Sequence, residues 1–116
     1  MLPELESKQL NCTCSNPPFS SDNYITRPVG IDHTNSRYGE VSILQCKFCN
    51  TLWIEYFYEN NYSESGRWFK GRISEELSKN ILPEQTVAYL EQLDEYFYGG
   101  SFFRTIGAKG KGKLHL

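Results

Sequence analysis

No window of the chain approaches the roughly 20 apolar residues that a membrane-spanning helix needs, so no transmembrane segment is expected. The opening stretch "MLPELESKQL" carries two acids and a proline, and no apolar run of signal-peptide length. That points to a cytoplasmic protein whose thiols are kept reduced. Aliphatic side chains are scarce as well: three Val and seven Ile among 116 residues leave an aliphatic core thin. With a net charge of −2 the chain lacks the global basic field that draws a protein to nucleic acid. Catalytic signatures are missing too. "GAKGKGK" has neither the preceding strand nor the following Ser or Thr of a phosphate loop. There is no Gly-X-Ser-X-Gly elbow and no His-X-Glu with Pro-Cys-X-X-Cys, so an enzyme is not expected.

What the chain has instead is aromatics and clustered cysteines. Aromatic residues make up 15% of it, and each can bury roughly 150–250 Å², so they must supply much of any core. Four cysteines form two tight groups, Cys12 and Cys14 in "CTC" and Cys46 and Cys49 in "CKFC", with 31 residues from Ser15 to Gln45 between the groups. Charge is segregated. Glu75–Glu95 holds six acids against one base, and four bases with no acid follow from Arg104 onward. Such blocks are usually solvated surface.

From Asn11 to Gly39 the composition is loop-like, rich in Asn, Ser, Asp, Pro and Gly, and a loop of that length needs something to tie it down. Strand signals begin at "EVSILQC". "TLWIEYFYE" then alternates Leu52, Ile54, Tyr56 and Tyr58 with Trp53, Glu55, Phe57 and Glu59. Arg67–Ile73 is a third strand, and Ser101–Ile106 could be a fourth. Ser74 is placed to cap a short turn over Ser74–Asn80. Val87, Leu90, Leu93 and Phe97 predict a main helix from Pro83 to Phe97, stopped by Gly99–Gly100. The expected fold is α+β: a small antiparallel sheet of three to four strands, one main C-terminal helix and a loop-rich N-terminal third. Residues 1–105 would form one zinc-stapled domain, and 106–116 a flexible basic tail.

Several chemistries fit the cysteines. A redox dithiol wants Cys-X-X-Cys at the start of a helix, whereas "CKFC" runs into a strand. Disulfides want an oxidising compartment, and four buried free thiols would pack as small hydrophobes. One tetrahedral zinc held by Cys12, Cys14, Cys46 and Cys49 suits two close pairs and a knuckle between strands. His33 could replace one of the cysteines as ligand, but a histidine in such a loop is expected to be solvated. On these cysteines and the strand after Cys49, the span Asn11–Ile73 resembles the zinc-ribbon group of folds. The resemblance implies a structural zinc on a β-hairpin. The chain departs from the group in its Cys-X-Cys pair and its long gap, the usual gap being about 15–20 residues.

Two kinds of partner are compatible with this pattern. A protein partner would use the surplus aromatic face, with Trp53, Glu55, Phe57, Glu59, Trp68, Lys70 and Arg72 as contact residues. A small bacterial adaptor or an immunity-type toxin inhibitor would have that form, and a homodimer could cover the same face. The alternative is a nucleic-acid-binding zinc ribbon, with Arg67, Lys70, Arg72 and the tail lysines on phosphates and Trp68 or Phe69 stacked on a base.

Overall fold

The computed structural model describes residues 12–59, 66–100, 105–114 and 116, without the side chains of Glu59 and Thr105. Six strands follow one another as an antiparallel meander: β1 Tyr24–Asp32, β2 Gly39–Cys46, β3 Leu52–Glu59, β4 Gly66–Arg72, β5 Tyr96–Gly100 and β6 Thr105–Gly110. Between β4 and β5 lie two short helices, α1 Glu75–Ser78 and α2 Thr86–Glu91, the second entered through a 3₁₀ turn at Pro83–Gln85. Ser74 caps α1 by accepting a hydrogen bond from the Leu77 amide at 3.2 Å. Among the described residues no helix is long and apolar enough to cross a membrane.

The alternation in β2–β4 divides the sheet into two faces. Val41, Ile43, Ile54, Tyr56 and Phe69 point to one side, where Ile73, Ile81 and Leu90 of the helical connection cover them. Leu44, Cys46, Trp53 and Phe97 point to the other side, where Cys14 and Phe19 of the N-terminal segment cover them. Both faces of the central strands are therefore covered, and β3 reads as nearly continuous hydrophobics for that reason.

The sequence-based fold class is corrected in three places. The main helix Pro83–Phe97 is not formed; its helical part ends at Glu91, and Tyr96–Gly100 is a strand. Tyr96, Phe97 and Tyr98 are β-favouring aromatics, and alternation sends Tyr96 into one core and Phe97 into the other. Leu90 and Leu93 do pack as the helical pattern requires, but onto Gly71 of β4, where an added Cβ would lie 2.7 and 2.4 Å from them. The sheet has six strands and not three or four. β1 comes from the stretch read as loop, its pattern interrupted by Pro28 and a register shift between Pro28 and Gly30. An edge strand tolerates that proline because it has no neighbour to receive its missing N–H. β6 comes from the stretch read as a tail, and beyond it Leu114 is buried and its amide donates to Glu91 Oε2 at 2.9 Å. Most of the expected strand Ser101–Ile106 lies outside the described residues.

At the β1–β2 end, Asp32 is buried and accepts hydrogen bonds from Tyr56 Oη (2.7 Å), the Thr34 amide (2.9 Å) and Arg37 Nη2 (3.2 Å). Burial alone would raise its pKa, but these donors outweigh burial and hold it at about 2, below the ordinary 3.8. A depressed carboxylate pKa stabilises the fold above the unfolded value, and that stability is lost as pH falls toward 2. Between pH 6 and pH 3 the stability advantage of the wild type over Asp32→Asn should narrow by about 1 kcal/mol, measured by urea unfolding of the two proteins at each pH.

Candidate metal centre

β2 ends at Cys46 and β3 begins at Leu52, and the turn between them is a cysteine knuckle. The Asn50 amide donates to the Cys46 carbonyl and the Cys46 amide to the Thr51 carbonyl, each at 3.0 Å. Asn50 takes a left-handed φ of 63°, which asparagine tolerates better than most residues. On the facing side, Cys14 sits in the 3₁₀ turn Thr13–Ser15, closed by the Ser15 amide donating to the Cys12 carbonyl at 3.0 Å. The tight turn brings the two sulfurs of a Cys-X-Cys pair to one point, so the missing second spacer residue is no obstacle. Lys47 clamps the knuckle to the segment by donating from its amide to the Asn23 carbonyl at 2.9 Å and from Nζ to the Asp22 carbonyl at 2.8 Å.

The four sulfurs all lie within 4.8 Å of one another, Cys12 and Cys46 at 3.5 Å and Cys14 and Cys49 at 3.4 Å. All four thiols are free. Disulfide sulfurs would be about 2.05 Å apart. Sulfurs around a tetrahedral metal with bonds of about 2.3 Å stand about 3.8 Å apart, so the observed spacing is that of a metal site. The four cysteines named from the sequence are thus brought together and could hold a metal ion. His33 is not among them; it stacks edge-on against Tyr38. His115 lies outside the described residues.

The surroundings shift the thiols in opposite directions. Burial pushes the Cys14 and Cys46 thiols up, as it must when several sulfurs share a dry site. Burial is the largest influence on Cys49 and would raise it, but the Thr51 hydroxyl, 3.1 Å from Cys49 Sγ, the Thr51 backbone and the neighbouring Cys14 and Cys12 together outweigh it and bring that thiol down to about 7. The Trp53 indole N–H is buried without an acceptor in hydrogen-bonding geometry, and it faces the Cys14 sulfur closely enough to lower that thiol's pKa. A metal-bound thiolate would give this orphan donor the negative charge it lacks.

Two cations stand beside the sulfurs. Lys70 is 1% exposed, with Nζ hydrogen-bonded to Tyr24 Oη and enclosed by the rings of Phe19, Tyr24 and Trp53 at 3.6, 4.2 and 4.6 Å. Burial lowers its pKa to about 8, while Glu55 and the cysteines pull it upward. Arg72 lies over Trp53 at 5.2 Å and donates to Ser15 Oγ at 2.9 Å.

The residues named as partner contacts fall on one face in register, Trp53 opposite Arg72, Glu55 opposite Lys70 and Phe57 opposite Trp68. Trp53 and Lys70 are buried there, so neither is offered to a partner, while Glu55, Phe57, Trp68 and Arg72 are half-buried. The side chain of Glu59 lies outside the described residues. Beside the sulfurs, the same face opens into a cavity of about 900 Å³ lined from every strand: Thr26, Leu44, Glu55, Trp68, Gly100 and Ile106. The sheet therefore curls around it, and Pro18–Ser21 forms its roof. Sequence reasoning missed Phe19, Tyr24 and Thr51. Phe19 is the one large apolar residue of "SNPPFSSDN", which was the available signal.

Thr51→Val should leave the fold intact and weaken metal retention by about tenfold, measured by competition with a chelator. The chain matches no family model, no curated protein and no solved structure.

Proposed function

We propose that the chain is a non-enzymatic recognition module stapled by one structural zinc ion, working in the cytoplasm and binding a protein partner. The observation that carries this reading is the closed four-sulfur cluster joining the N-terminal segment to the β2–β3 knuckle. Four thiolates suit zinc or iron, and zinc is the redox-silent choice for a purely structural tie. Bound zinc supplies a cross-link and no reactive position, because four protein ligands complete its tetrahedron. The half-buried Glu55 and Trp68 of the cavity, with Phe57 opposite Trp68 on β3, fit a basic protein surface reached by charge steering on a chain of net charge −2. A bacterial adaptor or an immunity-type toxin inhibitor has this character.

The nucleic-acid reading has less support. Its basic strand hides two of its three cations, since Arg67 is 6% and Lys70 1% exposed, and Arg72 is engaged with Ser15 and Trp53. Elemental analysis of the purified chain should give about one zinc per molecule, and Cys46→Ser should lose both the zinc and the cooperative thermal transition. A metal-free wild type that is fully folded would sink the staple. Single-stranded DNA or RNA should bind weakly at both low and moderate salt. Tight binding that falls steeply with salt would restore the nucleic-acid reading.

A further inference from the structure

We propose that the cavity on the sulfur-bearing face binds a small organic cation, a protonated amine carried on an apolar or aromatic body. This goes beyond the protein-partner reading but uses the same face: Glu55 and Trp68 of that surface and the metal-stapled segment that forms the roof.

Size and lining are those of a ligand site. About 900 Å³ lies within the range of small-molecule pockets, which are mostly apolar with a few placed polar groups. Here the apolar walls are Pro18, Phe19, Leu44, Trp68 and Ile106. Phe19 is held edge-on to Trp68 at 5.7 Å and to Phe97 at 5.1 Å, so the aromatic wall is preformed.

The charge chemistry selects the ligand. Glu55 and Lys70 are direct cross-strand neighbours, yet no ion pair joins them. Lys70 is turned into its cage of three rings, hydrogen-bonded to Tyr24 and closed off from solvent. Glu55 and Lys70 both line the cavity and act on each other through space, but among the described residues the Glu55 carboxylate has no hydrogen-bond or ion-pair partner. Burial raises its pKa, which is the mark of a charge held partly out of water. An ammonium donating to Glu55 recovers that cost, and its apolar body fills the space between Phe19 and Trp68. A carboxylate ligand would meet like charge, and a neutral one would leave Glu55 without its counter-ion.

Phenethylamine is a suitable probe, titrated into the zinc-loaded full chain by calorimetry and by the indole N–H signals in heteronuclear NMR. It should bind once per chain with a dissociation constant on the order of millimolar, as its few atoms allow. 3-Phenylpropionate, with the same ring and the opposite charge, should bind at least about tenfold more weakly. Glu55→Gln should weaken phenethylamine by about tenfold while zinc content and melting temperature stay unchanged. Equal binding of amine and acid, undiminished binding to Glu55→Gln, or no saturation by about 20 mM amine in a folded, zinc-loaded chain would each overturn the proposal. The amine–acid comparison needs only the wild type, so it decides even if the variant misfolds. Failure of the staple appears separately, as missing zinc before any titration.

Discussion

Four sulfurs meeting at one point constrain more of this molecule than any other contact. They fasten the segment Cys12–Asn23, which holds only two 3₁₀ turns of its own, onto the face of a sheet whose strands begin at Tyr24. Ordering a dozen residues costs on the order of 10–20 kcal/mol in backbone entropy. Phe19 and the Lys47 clamp return part of that, but each is a contact of about 1–3 kcal/mol. The proposed structural zinc would contribute about 10–16 kcal/mol, which is the size the segment requires. The segment, the aromatic cage and the cavity roof therefore stand or fall with the cluster.

The cluster also accounts for a lysine inside the protein. An isolated buried ammonium costs several kcal/mol, and Lys70 has no carboxylate bonded to it. Three ring faces and the Tyr24 hydroxyl return part of that cost, about 2 kcal/mol for each well-desolvated cation–π contact. The rest comes from position, because Glu55 first, and then Cys14, Cys46 and Cys12, act on the charge of Lys70. Lys70 and Arg72, two residues apart on β4, both lie over the Trp53 ring beside the cluster.

The centre was legible in the sequence because its logic is local: two close cysteine pairs, one running into a strand with strict alternation. β2, β3 and β4 were legible for the same reason. β1, β5 and β6 were not. Pro28 and Gly30 interrupt the period of β1, and "TIGAKG" in β6 has too few apolar residues to show one. In β5 the aromatic run follows directly on helix-spaced Val87, Leu90 and Leu93, and local propensity gives no reason to stop. The stop comes from β4, whose free edge pairs with Phe97, Tyr98 and Gly99. Alternation also put Trp53, Glu55, Trp68 and Lys70 on one face correctly, but it carries no information on what lies over that face. That cover is supplied by a segment some thirty residues away in sequence, tied down by the sulfurs.

How far the segment reaches is fixed by a glycine at the far side of the sheet. Gly107 of β6 has a φ of 155°, and a Cβ there would lie 2.5 Å from Pro17 Cβ and 3.6 Å from the Trp68 ring. The chain thus leaves the sulfur cluster at Cys14 and meets the opposite edge strand three residues later. Among the described residues β1 and β6 do not pair, so the curled sheet is not closed by hydrogen bonds. The segment bridges the concave face, and the space it does not fill is the cavity. A barrel closed edge to edge would have packed its interior with side chains. Held open and roofed by a loop fastened at the cysteine cluster, the same six strands keep a carboxylate and an aromatic wall facing an unfilled space.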